Sequence, residues 1–87
     1  MFVIITYDVN EKRVNRVRKV LKKYITWCQN SVFEGEITEG KLTKCMAEVG
    51  KYLITSEDSL YIYRIPYSKN IKKDVIGIEK ISDDLFI

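Results

Sequence analysis

Histidine is absent from the 87-residue chain, and that absence excludes more chemistry than any residue present includes. Histidine triads, cysteine–histidine dyads and histidine general bases are all ruled out, so catalysis falls to carboxylates, hydroxyls, lysines or a metal on oxygen ligands. Cysteine is scarce: Cys28 and Cys45 stand far apart without C-x-x-C spacing, and with no histidine a zinc site has too few soft ligands. Both read as small buried hydrophobes, with a disulfide between them left open. One proline and four glycines exclude a collagen-like or Pro/Gly-rich low-complexity chain. Long hydrophobic runs are missing too. The first apolar stretch, Phe2 to Ile5, is too short for a signal-peptide core or a membrane span and has no positive flank before it, so a cytoplasmic location and no membrane partner are expected.

What is there describes an ordered globule. The chain is 46% hydrophobic and 31% charged, which suits one domain over residues 1–87. A chain of this size buries only ~60% of its unfolded surface, so pairing with a second copy would help it. The net charge of +3 is unevenly placed: residues 1–23 carry seven Lys/Arg against Asp8 and Glu11, whereas residues 24–87 carry eight against ten acids. Such local basic charge favours a surface that faces a polyanion.

Met1 to Tyr7 is apolar on both alternating faces, the pattern of a central strand, and it ends at Asp8. Asn10 can cap a helix that begins with Glu11, and Val14, Val17, Leu21 and Tyr24, with Val20 beside them, form its apolar stripe. Trp27 to Glu34 reads as a strand, Gly35 as a tight turn or bulge, and Glu36-Ile37 as a short return strand. Thr38 can cap a second helix with Leu42, Cys45, Met46, Val49 and Leu53 on one face. Ser59 to Ile65 is the strongest strand, closed by Pro66, and Asp74 to Ile78 offers one more. The order βαββαβ with an additional C-terminal strand predicts an α/β (α+β) fold, a ferredoxin-like sandwich with two helices on one face of an antiparallel sheet.

Two helices cover only one side of a sheet, yet the first and last main strands are apolar on both. The simplest cover for the other face is a second copy of the chain, giving a homodimer. The C-terminal segment 74–87, with Leu85, Phe86 and Ile87 at its end, can then pack on the partner and extend its sheet.

Asp8 is the most informative residue for chemistry, because it stands at the carboxyl end of a buried strand. It reads either as a loop carboxylate that supports the helix entry or as a ligand for a metal or phosphate-bound water. If a two-fold axis brings two Asp8 side chains together, the pair requires a proton or a cation between them, and Mg2+ suits oxygen ligands of this kind. On the first helix Lys12, Arg16, Lys19 and Lys23 fall at i, i+4, i+7 and i+11, with Arg18 and Lys22 on the flank. This is either a solvated face or a phosphate-tracking one, and the lack of glutamates for i,i+4 pairing favours the second. Arg13 projects toward the apolar edge, where it can point at the dimer seam, and it counts with Lys12, Arg16, Arg18, Lys19 and Lys23 as a candidate nucleic-acid contact. Ser31 and Phe33 share one strand face with Gln29; Phe33 reads as packing, and Ser31 as a hydrogen-bonding group whose partner is open. Tyr61 and Tyr63 share a strand face, but the K/R-G-F/Y-G/A-F-V-x-F/Y signature of RNA-recognition motifs is absent.

The segments Val3-Ile4-Ile5-Thr6-Tyr7-Asp8-Val9, then Arg13, Asn15 and Val17, then Gln29-Asn30-Ser31-Val32-Phe33-Glu34-Gly35 together resemble the CRISPR-associated protein two family. The resemblance spans nearly the whole chain, and the spacing of Y-D-V and Q-x-S-V-F-E-G carries it. It implies a homodimer of the CRISPR adaptation machinery with facing Asp8 residues that bind magnesium. It also implies metal-dependent endonuclease activity on single-stranded RNA or duplex DNA, and a scaffold role between integrase subunits. Ile25 and Cys28 stand near places where many relatives carry a glycine and an arginine. The competing readings are a catalytically silent dimer that holds duplex DNA for an integrase and, from a third class, a small-molecule sensor, for which no glycine-rich ligand loop is visible.

Overall fold

The computed structural model describes residues 1–80. Strand β1 (Phe2–Asp8) leads into helix α1 (Glu11–Tyr24), strands β2 (Thr26–Gln29) and β3 (Val32–Glu36), helix α2 (Glu39–Gly50) and strand β4 (Ser59–Ile65), followed by a single 3-10 turn at Ser68–Asn70. The four strands form one antiparallel sheet in the order β2-β3-β1-β4. β1, the most apolar strand, is therefore central. Every second residue of β1, namely Val3, Ile5 and Tyr7, is buried against the helices with Phe33 of β3. Val17, Val20 and Leu21 of α1 and Leu42, Cys45 and Val49 of α2 complete the core at helical spacing.

Local chemistry explains the helix boundaries. The Asn10 side chain accepts the Lys12 N–H at 2.9 Å, and the Thr38 hydroxyl accepts the Lys41 N–H at 3.2 Å. Residue 11 and residue 39 are glutamates, favourable at the positive ends of the helix dipoles. α1 stops at Tyr24 because Ile25 turns extended while its N–H still reaches the Leu21 carbonyl. α2 stops at Gly50, short of Leu53. Glycine is a poor helix former, and Leu53 packs on the core from the following turn instead.

Three expectations about strands need correction. The segment Trp27 to Glu34 is not one strand: it folds back at Asn30-Ser31, where Asn30 takes a positive φ of 40° that asparagine tolerates, so Gln29 pairs with Val32. The return strand is accordingly longer than Glu36-Ile37, and Gly35 lies within β3 rather than at a turn. Gly35 has φ 153° opposite Val3, and a Cβ there would sit 3.5 Å from Ile25 Cγ1. Finally, Asp74 to Ile78 forms no strand within this chain. It runs beside Cys28 and Gln29, held by Lys73 Nζ on Glu34 Oε1 at 2.6 Å, with Ile76 and Ile78 almost fully exposed. The expected partner contact of Leu85, Phe86 and Ile87 lies outside the described residues.

The sheet face away from the helices carries Phe2, Ile4 and Thr6 of β1, opposite Ile65, Tyr63 and Tyr61 of β4. Tyr61 and Tyr63, neighbours on one face of the edge strand β4, are 59% and 53% exposed. The two cysteines are free.

Candidate active site and nucleic-acid interface

Asp8 ends β1 in the same alternation as Phe2, Ile4 and Thr6, so its exposed carboxylate belongs to the open face. The ladder to β3 ends at Thr6–Val32, whereas the ladder to β4 continues to Asp8–Ser59. Asp8 thus stands one step beyond the sheet's centre, supported on one side only.

Immediately after it, the chain is tied down by Asp58. The Asp58 side chain is fully buried and accepts four hydrogen bonds: the Asn10 N–H at 2.9 Å, Arg13 Nε at 2.8 Å, Arg13 NH2 at 2.8 Å and the Ile54 N–H at 2.9 Å. Glu57 stands 3.7 Å from the same guanidinium. The Arg13 fork holds the Asp58 carboxyl far below the usual carboxylate range, against the cost of burial and with help from the Asn10 and Ile54 N–H groups. Arg13 therefore faces the loop before β4 and stands apart from the rest of the basic stripe.

The other cations lie on the outer side of α1. Lys12, Arg16, Lys19 and Lys23 are exposed. The Arg16 guanidinium lies 5.7 Å from the centroid of the Tyr52 ring, a cation–π contact. Lys23 Nζ and the Tyr24 hydroxyl both donate to the Glu48 carboxylate, which lowers the Glu48 pKa. Arg16, Lys19, Val20, Lys23 and Tyr52 line an open groove of about 310 Å³. Arg18 is half-buried on the flank, near enough to the buried Tyr7 hydroxyl to oppose the upward shift that burial imposes on it.

Ser31 and Phe33 do not share a strand face with Gln29, because the hairpin turn separates them. Ser31 sits in the turn, and its carbonyl accepts the Tyr7 N–H at 3.2 Å. Phe33 is completely buried, 6.2 Å from the Tyr7 ring centroid, on the helix side of the sheet and away from the Asp8 carboxylate.

Among the described residues no three His, Cys, Asp or Glu side chains come together as a metal-holding group. One chain supplies Asp8 alone, fewer protein oxygens than a divalent cation commonly takes unless another molecule contributes. No helix among these residues is long and apolar enough to cross a membrane.

Asp58, Glu48 and Tyr52 went unnoticed in the sequence. The one signal for Asp58 was Arg13, a cation on the apolar edge of a helix that requires a buried acid; nothing local shows that the acid lies 45 residues on.

A family model described as CRISPR associated protein Cas2 matches residues 1–73. The CRISPR-associated endoribonuclease Cas2 3 of Thermodesulfovibrio yellowstonii is 57% identical over 79 residues, covering 91% of this chain and 90% of that protein. The CRISPR-associated endoribonuclease Cas2 of Thermotoga maritima is 43% identical over 83 residues, 95% of each chain. Among solved structures, a crystal structure of cas2 superposes with a TM-score of 0.81 at 45% identity, over 92% of this chain and 90% of the other. Streptococcus pyogenes Cas2 does so with a TM-score of 0.70 at 26% identity, over 86% of this chain and all of the other. With a model match over most of its length and such relatives along nearly all of it, the chain belongs to the CRISPR-associated protein Cas2 family.

Proposed function

We propose that the protein is a homodimeric, Mg2+-dependent endoribonuclease of the CRISPR adaptation machinery, with Asp8 from each copy at the reaction centre. The observation that carries this reading is the exposed Asp8 carboxylate at the rim of a half-covered apolar sheet face. The βαββαβ order and the β2-β3-β1-β4 sheet support a ferredoxin-like fold. Joining two open faces would bury Phe2, Ile4, Tyr61 and Tyr63 and bring two Asp8 side chains toward each other. The exposed Ile76 and Ile78 suit a segment that finds its strand partner on a second copy. Two facing carboxylates repel unless a cation lies between them, and a magnesium ion held there would offset the charge of a scissile phosphodiester. The α1 cations Lys12, Arg16, Lys19 and Lys23, with Arg18 beside them, would track the phosphates of the bound strand. The names of the relatives favour RNA as the substrate.

The test is cleavage of single-stranded RNA and of duplex DNA with and without magnesium. Wild-type protein cleaves RNA only with the metal, and Asp8→Ala lowers the rate by ~10²-fold or more while remaining a dimer. Undiminished cleavage by Asp8→Ala removes Asp8 from the reaction.

A second reading rests on the outer face of α1, which holds four exposed cations along one stripe. In it the dimer holds duplex DNA for an integrase subunit and performs no chemistry of its own. Asp8→Ala is then silent, and charge reversal at Arg16 and Lys19 abolishes the function.

A further inference from the structure

The carboxylate of Asp58 closes a short ring around Asp8. From Asp8 the chain passes through Val9 to Asn10, whose N–H donates to Asp58 Oδ1 at 2.9 Å; the next residue after Asp58 is Ser59, the ladder partner of Asp8. Ring closure matters here because the other side of Asp8 has no strand beside it: the pairing with β3 has already ended at Thr6. A terminal strand residue with one neighbour frays unless the following turn is fixed. Arg13 fixes that turn from the helix side, placing both fork nitrogens at 2.8 Å from the Asp58 oxygens, and the Ile54 N–H fixes the carboxylate from the loop before β4. The carboxylate is shielded from water, its side chain 0% exposed and that of Arg13 only 18%, so these bonds meet little competition from solvent.

We infer that Asp58 and Arg13 are positioning residues for Asp8, a buried latch that sets where the first-strand carboxylate stands on the open face. The inference rests on the proposed role of Asp8 and adds to it a pair that touches neither substrate nor metal. A core ion pair without this role would be needed only for folding. Two features favour the positioning role. The latch is built on the backbone N–H two residues after Asp8, and it ties the β1–α1 turn and α1 to the loop before β4 at the corner where Asp8 lacks a second strand. Ser59, directly across the ladder from Asp8, is the residue that follows Asp58 in the chain.

The experiment uses the full chain and compares wild type, Asp8→Ala, Asp58→Asn and Arg13→Lys. Cleavage of a single-stranded RNA is followed at a temperature where circular dichroism and sedimentation show the folded dimer, and rates are expressed per folded dimer. Asparagine in place of Asp58 keeps one acceptor oxygen but loses the charge, and lysine in place of Arg13 keeps the charge but loses the fork. Groups that orient a metal ligand commonly change activity or metal affinity by 10–100-fold when altered. Asp58→Asn is therefore expected to lower kcat by roughly 10–100-fold with KM for RNA unchanged and to raise the magnesium concentration for half-maximal rate, with Arg13→Lys in between. A purely structural role moves neither kcat nor the magnesium requirement of the molecules that remain folded. Loss of rate that only follows loss of folded dimer, or wild-type kcat and magnesium dependence in Asp58→Asn, overturns the inference while leaving Asp8 its role. Retained cleavage in Asp8→Ala overturns the underlying reading instead.

Discussion

At the scale of single residues, environment separates groups that look alike in the sequence. Asp8 and Asp58 are both aspartates beside a strand end, yet one is exposed and the other accepts four hydrogen bonds in the interior. The Asp58 carboxyl titrates well below an unfolded aspartate, so its stabilisation is fully present above roughly pH 4 and is lost as pH falls toward its folded value. Glu48 and Glu36, also held below the usual range, act in the same direction. Urea midpoints measured from pH 7 to pH 2 should fall on the acid side in the wild type; Asp58→Asn should start lower at pH 7 and lose less on acidification. The cysteines divide as sharply. Burial pushes the Cys45 thiol up to about 11, whereas Cys28 is only half-buried. A thiol reagent at pH 8 should modify Cys28 slowly and Cys45 only after unfolding in denaturant. Equal rates for both in the native protein would contradict the packing of α2.

Among the elements, those whose information is local were legible. The Asn10 and Thr38 caps and the apolar stripes of both helices follow from spacing of three and four residues, and they occur where spacing places them. The hairpin is hidden because the polar residues Gln29, Asn30 and Ser31 stand between the strand formers Trp27 and Val32-Phe33 without a glycine or proline to mark a turn, and the positive φ of Asn30 reveals the fold-back. Gly35 misled for the opposite reason: glycine suggested a tight turn or bulge, while it lies inside β3 at a φ of 153° that residues with a Cβ rarely adopt. The Arg13–Asp58 latch was illegible because 45 residues separate its halves. Of the candidate site, Asp8 and the α1 stripe were readable as positions, but the division of the cations between the latch, the Tyr52 ring and the Glu48 carboxylate was not. Leu21→Ala, emptying a fully buried position where α1 meets the sheet, should cost ~2–5 kcal/mol in chemical unfolding. Reversing Arg16 and Lys19 together should weaken duplex binding and reduce the slope of log K against log salt by about 0.9 for each phosphate no longer neutralised. An unchanged slope would show that nucleic acid does not lie along α1.

For the whole molecule, the decisive feature is an asymmetry between the two sheet faces. One is closed by helices over Val3, Ile5, Tyr7 and Phe33; the other presents Phe2 and Ile4 with two exposed tyrosines and the Asp8 carboxylate at its rim. A chain with so little interior gains from covering that second face, and covering it with its own copy would also gather two acids and two basic helices into one particle. Nuclease and scaffold readings alike depend on that pairing. Sedimentation equilibrium of the wild type against the double variant Tyr61→Asp, Tyr63→Asp tests it most directly, since both side chains are exposed in the single chain and their replacement should leave it folded. The wild type should sediment at twice the chain mass and the variant at the chain mass; a monomeric wild type, or a variant that remains fully dimeric, would contradict the account.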